Sequence, residues 1–215
     1  MIKEIRDTFE RSKDKTIEES KTKLFDKIEY IFKDPKYYVS PKNKLIYFKI
    51  DKCASTSVIE CLTKQSDFIP VYDSDLHTEK KITRYNVFTV IRDPKSRWIS
   101  GLNQFIYEEV SRDIIEGELK NHKFIFDGHT LPQVNFLPSC TDNIILLRLD
   151  RNLNQKISLL LGENVELKHK NTTSSDTHKK NNLNFCKKMF ETYCERNPRY
   201  YQTYEFDYRL FNISK

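Results

Sequence analysis

The sequence is short of glycine. Its 215 residues include four, Gly101, Gly117, Gly128 and Gly162, and no two stand close enough for G-x-G-x-x-G or G-x-x-x-x-G-K. The dinucleotide fingerprint and the Walker A loop are thereby excluded, so any phosphate held here is held without glycine. Cysteine is equally sparse in pattern. Cys53, Cys61, Cys140, Cys186 and Cys194 contain no C-x-x-C pair and leave an odd residue over, which argues against a disulfide framework and a cysteine-ligated zinc site. Long apolar runs are missing too. No window approaches the roughly 18 apolar residues of a membrane span, and the first residues, Met1-Ile2-Lys3-Glu4, carry no apolar signal core. A cytoplasmic setting is expected, with the N-x-[ST] sequons at Asn171 and Asn212 as chance matches.

What is present is a polar-surfaced globular composition. Hydrophobic residues make up 38% and charged residues 32%, which sets aside disordered and collagenous classes. Lys and Arg number 37 against 31 Asp and Glu, a net charge of +6. Lysine is spread along the chain without a block of one sign, so a solvated lysine-rich surface and an anionic partner both stay open.

Residues 1–38 read as an N-terminal helical extension. Ile2, Ile5, Phe9, Leu24, Phe25, Ile28 and Phe32 fall at mostly helical spacings, and Asp34-Pro35 ends the pattern. Residues 39–215 read as an α/β domain. Leu45–Ile50, Asn86–Ile91 and Ile144–Leu149 are expected strands; residues 56–65 and 95–110, and a segment ending at Gly162, are expected helices. That alternation implies βαβ units and a mainly parallel sheet flanked by helices. Residues 181–212 read as helical, with Asn197-Pro198 as N-cap and first helical position of the last helix. In such sheets ligands sit beyond the carboxyl ends of the strands, which directs attention to two strand-to-helix junctions.

The first junction is Asp51-Lys52-Cys53-Ala54-Ser55-Thr56-Ser57. A helix start offers backbone N–H groups and partial positive charge; Lys52 adds a full charge, and Ser55, Thr56 and Ser57 add hydroxyls. The alternative is a plain helix cap. The second is Arg92-Asp93-Pro94, running on to Arg97-Trp98-Ile99-Ser100-Gly101. Arg92 at a strand end is a forked donor suited to phosphate, and Ser100 lies about two turns into the helix that follows. The alternative is a structural ion pair in an ordinary turn.

The stretch Lys49 to Ser57 resembles the 5′-phosphosulfate loop of sulfotransferases that use 3′-phosphoadenosine 5′-phosphosulfate (PAPS). Phe88 to Gly101, with its Arg92-to-Ser100 separation, resembles their 3′-phosphate motif, and the likeness is nearest to the carbohydrate O-sulfotransferase branch. Looser echoes at Asp127-Gly128-His129 through Gln133, Leu149–Leu153, Asn171-Thr172-Thr173 and Tyr204–Phe211 extend it over roughly residues 44–212. The resemblance implies a P-loop-like α/β fold and sulfuryl transfer from PAPS to an acceptor hydroxyl, with no metal and no nucleic-acid partner. It implies that Lys52 with Cys53, Ala54, Ser55, Thr56 and Ser57 holds the phosphosulfate, and that Arg92 and Ser100 hold the 3′-phosphate. The family usually has proline where Asp51 stands; an acid there either pairs with a nearby lysine or faces the anion.

A base is also required, and histidine has the right intrinsic pKa, the candidates being His77, His122, His129, His169 and His178. His77, in the interval before the second junction, resembles the position of the base in glycan-modifying members; His129 is the second candidate. His169 and His178 lie in a polar stretch, Lys168–Lys180, that either closes over a nucleotide or is an exposed loop. Trp98 and the tyrosines of the tail (Tyr193, Tyr200, Tyr201, Tyr204, Tyr208) read as packing residues, and Cys53 as a thiol without a matching base. Two rival functions remain. A basic nucleic-acid-binding domain would account for the charge but not for the placement of Lys52 and Arg92. A non-catalytic nucleotide-binding interaction protein would retain the fold without the chemistry.

Overall fold

The computed structural model describes residues 4–5, 37–71, 85–107, 111–137, 144–168 and 177–214. The helices expected over residues 1–36 fall outside these, apart from Glu4 and Ile5. His77, Cys140, His169 and Asn171 also lie outside the described residues.

Five strands form one sheet: β1 (Tyr37–Ser40), β2 (Leu45–Phe48), β3 (Ile69–Val71), β4 (Asn86–Ile91) and β5 (Ile144–Arg148). Their order is β3-β1-β2-β4-β5. The sheet is mixed rather than mainly parallel. β2 pairs parallel with β4, and β4 with β5, whereas β1 pairs antiparallel with both β2 and β3. The cause is local. Only the turn 41–44 joins β1 to β2, with Lys44 at a φ of 50°, and so short a link permits a hairpin but not a crossover. The boundary expected at residue 38 therefore falls inside β1.

The parallel half follows the alternation in the sequence. β2 leads through α1 (Ser55–Gln65) towards β4, and β4 leads through α2 (Pro94–Tyr107) and α3 (Arg112–Lys120) towards β5. Next come α4 (Leu153–Leu161), α5 (Thr177–Met189), a π-helical turn at Phe190–Cys194 and α6 (Pro198–Ile213). The caps explain several boundaries. The Asp93 carboxylate accepts from Ser96 N at 2.8 Å, and Pro94 takes the first position of α2, where its missing N–H costs nothing. Gly162 closes α4 in the left-handed conformation. The Asn197 side chain accepts from Arg199 N ahead of Pro198, each such cap contributing about 1 kcal/mol.

Two apolar clusters hold these elements. One joins the sheet to Val58 and Leu62 of α1, Ile157 of α4 and Phe206 and Leu210 of α6, and it includes Ile5. The other packs Trp98 and Leu102 of α2 against Ile115 of α3, Met189 of α5, and Tyr200 and Tyr204 of α6. Helix α6 thus feeds its first turns to one core and its later turns to the other, which ties the helical layer to the sheet. Trp98 is fully buried, donates from Nε1 to Phe124 O at 2.8 Å and meets the rings of Phe190 and Tyr200 edge-on. It is a packing residue, as expected, and so are Tyr200 and Tyr204. Because β2 and β4 are parallel neighbours, the loops leaving their carboxyl ends emerge side by side.

Candidate functional site

The loop after β2 takes up a glycine-like backbone without glycine. Lys52 has a φ of 65° and Ala54 a φ of 59°, each a left-handed conformation costing a non-glycine residue roughly 1–3 kcal/mol. Ala54 is the N-cap of α1, and no side chain among the described residues caps that end. The first bond into the helix runs from Val58 N to Ala54 O at 3.1 Å. Strain of this kind persists only where neighbouring groups over-determine the backbone, and the neighbours are two arginines. Arg92 Nη1 donates to the Lys52 carbonyl at 3.1 Å, and Arg97 Nε donates to the Asp51 carbonyl at 2.9 Å. Two successive carbonyl oxygens, which would repel an anion, are thereby occupied by guanidinium groups.

The two junctions picked out by sequence lie against each other. Lys52 Nζ donates to Gln104 Oε1 of α2 at 3.1 Å, so the lysine of the first junction rests on the helix of the second. Ser100, half-buried, is three residues after Arg97 and four before Gln104, hence on the face of α2 that meets the loop. Asp51 is ion-paired, its Oδ1 lying 3.3 Å from Lys49 Nζ, so its carboxylate has its own cation. Burial holds the Arg92 guanidinium below its ordinary pKa, with Arg97 adding to the effect.

Thr56 is exposed, whereas Ser55 and Ser57 are buried. Ser57 lines a cavity of about 170 Å³ together with Glu60, Cys61 and Lys64 rather than with Arg92. Cys53 is no nucleophile. It is fully buried, its Sγ donates to Gln133 Oε1 at 3.2 Å, and burial pushes its thiol up to about 11. Thiolate is the reactive form, and it is scarce here at neutral pH.

A third loop packs against α2. Asp127 Oδ2 sits 2.6 Å from His129 Nδ1, and Asp127 Oδ1 accepts from the His129 backbone N–H at 2.9 Å. A carboxylate can only accept, which places the neutral imidazole's proton on Nδ1 and leaves the lone pair on Nε2. The His129 side chain is 30% exposed. The backbone of His129 lies directly on Gly101: a Cβ there would stand 2.3 Å from the His129 carbonyl oxygen. The one motif glycine is thus needed for close approach of a second loop. His122 has its own surface partner, Asn197, and takes no part.

Beneath the site lies a buried polar cluster that sequence reasoning gave no role. Gln133, fully buried, accepts from Arg92 N at 2.9 Å and donates from Nε2 to Arg92 O at 2.9 Å. Asp207 of α6 accepts from the backbone N–H groups of Gln133 and Val134 at 2.7 and 3.0 Å, and burial raises its pKa although Arg97 opposes the shift. Arg97, 1% exposed, donates from Nη1 to the Leu131 carbonyl, while its Nη2 has no hydrogen-bond partner among the described residues. Spacing offered partial hints: Asp127 stands two before His129, Gln104 four after Ser100, and Arg97 within the quoted motif. Gln133 and Asp207 lay within the looser echoes but were given no part in the site.

A polar cavity of about 510 Å³ at the start of α4, lined by Arg151, Asn152, Gln155 and Asn164 among others, includes none of the residues above. Among the described residues no group of three or more His, Cys, Asp or Glu could hold a metal ion. No helix of the described residues is long and apolar enough to cross a membrane. No protein-family model, curated protein or solved structure matches the chain.

Proposed function

We propose that the chain is a PAPS-dependent O-sulfotransferase with a P-loop-like site, acting on a carbohydrate hydroxyl. The observation that carries this reading is the bond from Arg92 to the Lys52 carbonyl, which joins the two phosphate-type junctions across neighbouring parallel strands. The uncapped helix start at Ala54 supports it, since an anion can take the place of the missing cap.

In this mechanism Lys52 and the amides at the start of α1 bind the 5′-phosphosulfate, and Arg92 and Ser100 bind the 3′-phosphate. His129 Nε2 accepts the proton of the acceptor hydroxyl while its Nδ1 stays on Asp127. The acceptor oxygen forms a bond to sulfur as the bond from sulfur to the 5′-phosphate oxygen breaks. Lys52 stabilises the charge arriving on that oxygen, leaving adenosine 3′,5′-bisphosphate and a sulfate ester. Positioning and electrostatics carry most of the rate in such a transfer. His129 is taken as the base because Asp127 orients its imidazole and its backbone lies against Gly101 of α2.

The test is transfer of radiolabelled sulfate from PAPS to a panel of glycans, with bisphosphate binding followed by calorimetry. Lys52→Ala is expected to lower turnover by roughly 10²–10³, as removal of a charge-stabilising donor does elsewhere. Bisphosphate binding without transfer would select the non-catalytic nucleotide-binding reading. Failure to bind bisphosphate, with binding to duplex DNA instead, would overturn the proposal.

A further inference from the structure

We propose that Arg97 is a positioning residue that holds the Lys52 loop and the His129 loop in one register, an inference that rests on reading those loops as donor site and base. Its guanidinium is 1% exposed, too deep to touch a substrate. Nε donates to the carbonyl of Asp51, the peptide just before left-handed Lys52, and Nη1 donates to the carbonyl of Leu131, two residues after His129. One rigid planar group therefore fixes the distance between two loops that belong to different crossovers.

The far side of the second loop is pinned by Asp207, which takes the amides of Gln133 and Val134, and the Phe136 ring lies 5.5 Å from the guanidinium carbon. Residues 131–134 are thus held between Arg97 and α6. In the first loop the effect is directional. A trans peptide points its C=O and N–H oppositely, so turning the Asp51 carbonyl towards Arg97 turns the Lys52 amide away from it. Arg92 takes the next carbonyl, that of Lys52. If Arg97 served only to fill volume, an apolar side chain would do so without burying an Nη2 that has no partner among the described residues. Lysine keeps the charge but lacks the planar fork that reaches two carbonyls at once.

Hydrogen exchange on the ligand-free protein tests the register directly. Arg97→Lys is expected to raise exchange about tenfold in residues 51–57 and in 127–134 together, with the interiors of β4 and α2 as slow as in the wild type. Calorimetry with adenosine 3′,5′-bisphosphate is expected to show affinity falling by about tenfold in the same variant. Faster exchange in one loop alone, in neither, or uniformly through the chain would overturn the proposal, as would unchanged affinity in a variant whose parent binds. A wild-type protein that binds no bisphosphate would instead remove the functional reading, and exchange would still decide whether Arg97 couples the loops. Should Arg97→Lys give no cooperative melt, Phe136→Leu, which strips the ring from the guanidinium, is expected to loosen the same two segments to a smaller degree.

Discussion

Replacing Gly101 by alanine puts a methyl group where the structure has a carbonyl. The added Cβ would stand 2.3 Å from the His129 oxygen, 2.7 Å from the His129 carbonyl carbon and 3.2 Å from Thr130 N, all backbone atoms with no rotamer to yield. The loop cannot slide away freely. Thr130 is fully buried, its carbonyl accepts from Tyr204 Oη at 2.6 Å, and its Oγ1 accepts from Phe126 N at 2.8 Å. Overpacking of this sort costs about 2–3 kcal/mol, against a gain of about 1 kcal/mol from replacing a mid-helix glycine. A net loss of about 1–2 kcal/mol follows. Gly117 supplies an internal control: it lies in α3 with nothing within 4 Å of an added Cβ, so Gly117→Ala should gain about 0.5–1 kcal/mol. At roughly 2–4 °C per kcal/mol for a chain of this size, the two melting temperatures should shift in opposite directions from wild type and differ by about 3–12 °C. Thermal unfolding followed by circular dichroism reads this. A Gly101→Ala protein as stable as Gly117→Ala would refute the close approach of the His129 loop.

The buried thiol at Cys53, raised from 9.0 to about 11, stays protonated below that pH, so at pH 8 about one molecule in a thousand carries the reactive thiolate. Iodoacetamide should leave Cys53 unmodified in the native protein and label it after denaturation; prompt native labelling found by peptide mapping would contradict its burial. Lys49→Met leaves the Asp51 carboxylate without its partner at 3.3 Å, beside the proposed anion loop. Bisphosphate affinity should fall by at most about fivefold, because both side chains are partly solvated, and the loss should shrink in high salt. An unchanged affinity at low salt would show that Asp51 does not sense the anion.

Much of the parallel half of the sheet was legible beforehand. Asn86–Ile91 runs as read, and the Gly162 and Asn197-Pro198 boundaries hold, because apolar runs and caps act through neighbours a few residues away. β1 and β3 escaped notice. Tyr37-Tyr38-Val39-Ser40 is short and follows a helical pattern, while Ile69–Val71 contains Pro70, a residue that speaks against a strand except at an edge. Both are strands because a partner lies alongside, which is not a local property.

The candidate site divides in the same way. Sequence by itself determined that no glycine-rich phosphate loop is available, and that Lys52 and Arg92 each stand at the carboxyl end of a strand and the start of a helix. Those are consequences of residue type and period, which the chain carries wherever it goes. Tertiary structure alone decided that Lys52 rests on Gln104, that Asp51 is paired, and that His129 has Asp127 and lies on Gly101. It also decided that Arg97 and Gln133 are buried beneath the site. Such contacts join residues up to 80 positions apart, as Cys53 and Gln133 are. Side-chain partners at that range are set by the pairing of β2 with β4 and by the packing of α2 and α6, and no local pattern encodes either.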